Sequence, residues 1–157
     1  MKITELTADS AGQFLEKLNQ LIMETVNMPI KAKHHFQNQW TEASLTAQIG
    51  NWIFLSAKNE QDEISGLLLG TPCEGGVGTI VWVLVESKKQ KMGLGKQLFD
   101  KAVDIYKEKG AHKIKLTVPE EKTVEFYKKQ GMRLEGHHPN HWWNHEFWSM
   151  GLILKED

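Results

Sequence analysis

Seven consecutive residues, Gln90-Lys91-Met92-Gly93-Leu94-Gly95-Lys96, have the composition of an anion-binding turn. An apolar, strand-like run from Val77 to Val85 enters it, and an amphipathic segment from about Gly93 to Lys109 leaves it. The first N–H groups of a helix lack intrahelical acceptors, and with the helix dipole they attract negative charge. Glycine at such a turn lets the main chain approach a phosphate with no Cβ between them. The stretch reads as a cradle for the pyrophosphate of a nucleotide-like cofactor. It is not a dinucleotide fingerprint: the third glycine is missing, and Lys113 to Val118 is basic or apolar where an acidic residue is needed. It is not a P-loop either, because no Gly-Lys-Ser/Thr stands at the required spacing.

The other chemistry-bearing side chains are imidazoles. The chain has 7 His, including the adjacent pairs His34-His35 and His137-His138, and His141 and His145 four apart. That last spacing suits one face of a helix, but Pro139 and the surrounding aromatics make the segment loop and strand. With Cys73 remote and no His-Glu-x-x-His, no metal site is expected.

The elements that must position the cradle follow from periodicity. Lys2 to Thr7 alternates as a short strand. Asp9 or Ser10 can cap a first helix running to about Val26 on Phe14, Leu15, Leu18, Leu21 and Ile22, before Pro29 breaks it. Lys31 to Gln39 is polar and reads as a loop or turn. Thr41 caps a short helix that Gly50 ends. Trp52–Ala57 and Ile64–Gly70 form a hairpin about the turn Asn59–Glu63. Thr79 to Val85 is the most β-prone run and is apolar on both faces, as a central strand is. The helix after the cradle buries Leu94, Leu98, Ala102 and Ile105, with Phe99, Val103 and Tyr106 alongside. Gly110 ends it. Ile114–Val118 follows as a strand, so the path implies a parallel, right-handed crossover. Pro119 opens another helix, containing Val124, Phe126 and Tyr127 and stopped by Gly131. Met132 begins a strand, His137–Asn144 is a loop, and His145–Leu154 is the last strand. The expected fold is α/β of the α+β kind: a single mixed, mostly antiparallel sheet flanked by helices.

Bulk properties narrow the class. At 157 residues, 25% charged and 40% hydrophobic, residues 1–157 read as a single globular domain. A net charge of −1 argues against nucleic-acid and anionic-membrane partners. One cysteine permits no intrachain disulfide and suits a reducing cytoplasm. Met1–Leu15 lacks the apolar core of a signal peptide, and no apolar run approaches the roughly 18–20 residues that span a bilayer. Of 6 Trp, three fall within Trp142–Trp148.

In element order and motifs the chain resembles the GNAT superfamily of N-acetyltransferases. Its Arg/Gln-x-x-Gly-x-Gly/Ala signature is matched by Gln90 to Gly95. Its Tyr-x-x-x-Gly-Phe element is matched by Tyr127 to Met132, with Met132 in place of Phe. The resemblance implies acetyl-CoA as acyl donor, held at Gln90, Lys91, Gly93, Gly95 and Lys96. It implies that the strand before the cradle splays from its neighbour, and that the main chain of Val83 and Val85 pairs with the pantetheine arm. Tyr127 is then the general acid for the leaving thiolate. Two positions depart from the family: Glu120 stands where many members have a cofactor-contacting Asn, and Thr79 where the histone-modifying branch has a catalytic Glu. Thr79 cannot act as a base.

The implied reaction is direct attack of a primary amine on the thioester in a ternary complex. A lysine-like amine with pKa of about 10.4 costs roughly 4–5 kcal/mol to deprotonate at pH 7. His138, His141, His34, His35 and Glu86 are candidate bases. The loop His137–Trp148 is either an aromatic wall for the acceptor or a cover for the sheet or a homodimer contact. The acceptor, a small molecule or peptide, carries no signature in the sequence. Alternatives are a non-catalytic acetyl-CoA-binding or interaction module, and an acyltransferase with another acyl-CoA or an oxygen acceptor.

Overall fold

The longest strand in the sheet is the run that leads into the cradle. The computed structural model describes residues 1–155. Its elements are β1 (Lys2–Glu5), α1 (Ala11–Thr25), α2 (Ile30–Gln37), α3 (Glu42–Ala47), β2 (Ile53–Lys58), β3 (Ile64–Gly70), β4 (Val77–Val85), α4 (Leu94–Glu108), β5 (Lys113–Val118), α5 (Glu121–Lys129), β6 (Arg133–His138) and β7 (Phe147–Ile153). The described strands form one sheet in the order β1-β2-β3-β4-β5-β7-β6. All neighbours are antiparallel except β4 and β5. The expected mixed, mostly antiparallel sheet with one parallel crossover is what forms.

Helices cover both faces. On one, Leu94, Leu98, Phe99, Ala102 and Tyr106 of α4 pack with Leu55, Leu68, Ile80 and Ile114, and Val124 and Tyr127 of α5 join them. On the other, Phe14, Leu18, Leu21 and Ile22 of α1 pack with Leu45 of α3 and with Phe54, Leu67 and Leu69 of the hairpin. Alternate residues of β2 and β3 therefore serve opposite cores, which is why β3 is buried throughout. Each fully buried Leu or Phe here contributes roughly 1.5–3 kcal/mol. No helix among the described residues is long and apolar enough to cross a membrane.

Several local expectations need correction. Ile30–Gln37 is a helix, α2, and not a loop. Its apolar signal is only Ala32, fully buried, and Phe36, four residues apart. It is fastened instead by polar groups: Lys33 Nζ donates to the Met23 carbonyl at 2.9 Å and Gln37 Nε2 to the Asn19 carbonyl at 3.1 Å. Pro119 precedes α5, whose N-cap is Glu120. β6 runs on through His137 and His138, and β7 begins only at Phe147. Finally, β4 is not covered on both faces: Val81 is 39% exposed, and Val83 and Val85 are half-buried. The cause is a fork in the sheet.

Candidate active site

β4 and β5 pair in parallel only from Val77 to Thr79, opposite Lys113 to Lys115. Beyond Thr79, six further residues of β4 have no partner on that side among the described strands. β5 instead continues along β7 to Val118, opposite Trp148. The two strands thus part company in the middle of the sheet. A bulge marks the place: Gly70 pairs with Ile80 and Leu69 with Trp82, so Val81 has no opposite number.

The parity of the β3–β4 ladder decides which main-chain groups face the fork. The Glu86 N–H donates to the Ser65 carbonyl at 2.9 Å. Stepping back in twos along the antiparallel register, Leu84 and Trp82 are also bonded to β3. Val83 and Val85 therefore aim their N–H and C=O groups at the gap. The Val85 carbonyl is partly used, accepting from Gln90 Nε2 at 3.2 Å. Val83 retains both groups for a ligand that lies there as a strand would.

Tyr106 holds the crotch of the fork. Its ring is buried, and its hydroxyl donates to the carbonyls of Thr71 at 2.8 Å and Thr79 at 3.2 Å. Gly70 and Gly78 make the slot: a Cβ on either would collide with the Tyr106 side chain. Sequence reasoning missed this role. The available signal was a tyrosine on the buried face of a helix opposite strand glycines. Thr79 is thus structural, through its carbonyl.

At its far end β4 runs into the cradle. Ser87–Lys89 forms a 3-10 turn, and Lys91 (φ 68°) and Gly93 (φ 81°) then take left-handed conformations that swing the chain into α4. The first bond of the helix is Gln97 N–H to the Gly93 carbonyl at 3.0 Å. The N–H groups of Gly93, Leu94, Gly95 and Lys96 are left without acceptors among the described residues. Space beside Gly93 is open, and a Cβ on Gly95 would meet its nearest neighbour, Phe126, only at 3.4 Å. Packing within the chain leaves room for a Cβ at either position. The Lys96 ammonium is occupied by Asp100 at 2.6 Å.

Tyr127 lies on α5, packed against Phe99 (ring centroids 5.8 Å apart) and Phe126 (4.9 Å). Its hydroxyl has no hydrogen-bond partner among the described residues. Among the described residues, every side-chain polar atom sealed from solvent does have one. The Tyr127 hydroxyl must therefore open onto accessible space although the residue is only 6% exposed. Burial pushes its pKa well above the ordinary value of 10, and it stays a neutral phenol.

Of the candidate bases only His138 and His141 meet, with ring centroids 5.2 Å apart. His138 Nε2 meets Ser149 Oγ at 3.0 Å, His35 Nε2 meets Gln39 at 3.2 Å, and Glu86 pairs with Lys17 at 3.4 Å. His141 lies against Trp142. No hydrogen bond or ring contact joins any of these, or His34, to Tyr127. Among the described residues no three His, Cys, Asp or Glu side chains converge as a metal site would need.

The three clustered tryptophans separate. Trp148 is buried and stacked on His137, Trp142 is 53% exposed, and Trp143 packs on His35 (5.3 Å) and Phe36 (5.1 Å) of α2. Phe36 in turn abuts Trp82 of β4 at 5.1 Å. The β6–β7 loop is thus clasped to α2 across the sheet. It accepts backbone strain to do so, since Asn140, Trp143 and Asn144 all have positive φ. Beside this loop, where β5 ends and α5 begins, is a cavity of about 670 Å3.

The comparisons with known proteins agree with this geometry. The chain's fold matches that of the acetyltransferase of GNAT family from Streptococcus pneumoniae, with a TM-score of 0.82 at 19% identity over 98% of this chain and 99% of that one. It also matches PaiA N-acetyltransferase from Thermoplasma acidophilum, solved in complex with coenzyme A (0.78, 16%, 97% and 98%). A third match is YncA from Salmonella typhimurium, solved with its cofactor acetyl-CoA (0.79, 14%, 100% and 95%). No curated protein matches the sequence. The family model of the acetyltransferase (GNAT) family matches residues 15–132, which is most of the chain. A forked sheet whose free strand edge leads into an unpaired helix N-terminus therefore stands on a chain that belongs to the acetyltransferase (GNAT) family.

Proposed function

We propose that residues 1–157 form one N-acetyltransferase domain that moves an acetyl group from acetyl-CoA to a primary amine by direct attack in a ternary complex. The observation that carries this reading is the free edge of β4 beyond Thr79, which ends at the unpaired N–H groups of α4. An extended, amide-bearing chain ending in a pyrophosphate needs those two features in that order. Val83 and Val85 offer main-chain partners to the pantetheine arm. Gln90 and the N–H groups of Lys91, Gly93, Gly95 and Lys96 cradle the pyrophosphate with the helix dipole. Acetyl-CoA supplies an activated thioester. The amine nitrogen forms the new C–N bond as the C–S bond breaks, and its proton passes to solvent or a base.

Tyr127 serves the leaving sulfur by donating a hydrogen bond. Its raised pKa makes full proton transfer to a thiolate, whose own pKa is about 8.5, uphill. A short hydrogen bond to developing negative charge costs no such transfer. Most of the remaining rate comes from holding the two reactants together.

The test is thiol release from acetyl-CoA across polyamines, aminoglycosides, amino acids and N-terminal peptides. Turnover with at least one primary amine is expected. Tight CoA binding with no turnover on any acceptor would leave a binding module in place of the enzyme.

A further inference from the structure

The cavity of about 670 Å3 falls within the roughly 300–1,000 Å3 of small-molecule sites. Glu120, Glu121 and Lys122 line it from the start of α5, Glu146 from just before β7, Trp148 from β7, and Asn27 from the connection between α1 and α2. Its lining thus carries three carboxylates against one lysine, with Glu146 already held by His137 at 2.6 Å. The cavity lies at the end of β5, one of the two strands bordering the fork, because its lining residues Pro119 and Glu120 directly follow Val118.

Glu120 is placed unusually. A side chain at a helix N-cap ordinarily accepts a bond from the helix's first N–H groups. Here it does not, because the backbone carbonyl of Glu120 does that work, accepting from Thr123 N at 3.2 Å and Thr123 Oγ1 at 2.7 Å. The carboxylate is left for the cavity, where it meets Lys122 Nζ at 3.1 Å. The Lys122 side chain is 82% exposed whereas that of Glu120 is 20% exposed, so Lys122 reaches in from solvent and another cation can compete with it for the carboxylate. Glu120 stands seven residues before Tyr127. That is two helical turns on nearly the same face, about 10 Å along the axis.

This separation matters to the chemistry. A carboxylate beside the reacting nitrogen would hold it protonated and inert, whereas one two turns away can hold a second ammonium without disturbing the first. Resting on the N-acetyltransferase reading, we infer that the cavity anchors a second cationic group of the acceptor through Glu120, so that the substrate class is a di- or polyamine.

Two measurements on the full chain test it. The first is kcat/KM for a series of α,ω-diamines against monoalkylamines of matched length. The second is calorimetric binding of hexamethonium, a bis-quaternary dication that cannot be acetylated, against tetramethylammonium. Diamines should be preferred about tenfold, as one charged hydrogen bond provides. Hexamethonium should bind severalfold more tightly than tetramethylammonium, which offers Glu120 the same charge without the spacer. Glu120→Gln should cut the diamine preference and the hexamethonium affinity about fivefold or more, while CoA affinity holds. Glu125→Gln, on the same helix but outside the cavity, should leave the preference intact. Equal use of mono- and diamines, no hexamethonium binding, or a Glu120→Gln defect confined to CoA affinity would each overturn the inference. Hexamethonium binding without acetylation of any amine would instead overturn the enzyme reading and keep the cation site.

Discussion

Replacing Tyr106 by Phe probes the crotch of the fork with the smallest possible change. The ring stays in the slot left by Gly70 and Gly78, so no cavity opens and only the hydroxyl is lost. That hydroxyl serves two carbonyls. Thr79 keeps a donor, the Thr71 N–H at 2.8 Å. The Thr71 carbonyl loses the donor it now has. One lost buried bond and one stranded acceptor cost about 2 kcal/mol. In a chain of this length that lowers Tm by roughly 4–8 °C. Because Thr79 is the last residue of β4 paired to β5, slack here should also blur the gap, and CoA should bind a few-fold more weakly. Thermal and urea unfolding read the first effect and equilibrium dialysis with CoA the second. An unchanged Tm would refute the view that Tyr106 carries the fork. A lower Tm with unchanged CoA affinity would confine Tyr106 to general stability.

Other perturbations separate the remaining parts of the site. Tyr127→Phe should lower kcat about a hundredfold and leave CoA affinity within about twofold, because its hydroxyl acts on the departing sulfur; steady-state kinetics with CoA titration would show an unchanged kcat if that role is wrong. Gly93→Ala meets no atom, yet forces alanine into a left-handed conformation costing about 1–2 kcal/mol, so Tm should fall by roughly 2–8 °C and, as the turn relaxes out of that conformation, CoA affinity by up to about tenfold; an unchanged Tm and CoA affinity would refute the need for the left-handed turn. Alkaline titration should reveal both buried tyrosines. Their raised pKa values mean the fold keeps protons that the unfolded chain releases above pH 10, so their stabilisation is complete below pH 10 and is lost as pH rises beyond it. The tyrosines then contribute a fall of about 2.7 kcal/mol per pH unit, halved in Tyr127→Phe; equal alkaline slopes in the two proteins would mean Tyr127 ionises freely in the fold.

Much of this design is readable in the sequence, and the exceptions have physical causes. α4 announced itself because its apolar residues repeat at helical spacing and Gly110 stops it. The cradle was legible as a strand–glycine–helix junction. α2 was not, because one buried and one partly buried apolar residue fall below any periodic signal, and its tethers, Lys33 and Gln37, reach carbonyls of another helix. β4 read as a strand covered on both faces because Val81, Val83 and Val85 are as apolar as core residues. Their exposure is set by where β5 leaves, which no local pattern records. The resemblance to GNAT proteins anticipated that splay and pointed to Val83 and Val85, whereas ladder parity shows why those two face the gap. The clasp of Trp143 on Phe36 joins residues over a hundred positions apart, and composition alone could show only that aromatics cluster.

The central claim is that the free edge of β4 and the N-terminus of α4 form one continuous cofactor site. Amide hydrogen exchange and chemical shifts of the full chain, with and without CoA, test it directly. The account predicts that Val83, Gly93, Leu94, Gly95 and Lys96 shift and gain protection together on saturation. Protection confined to the β6–β7 edge, with these five amides unchanged, would contradict it.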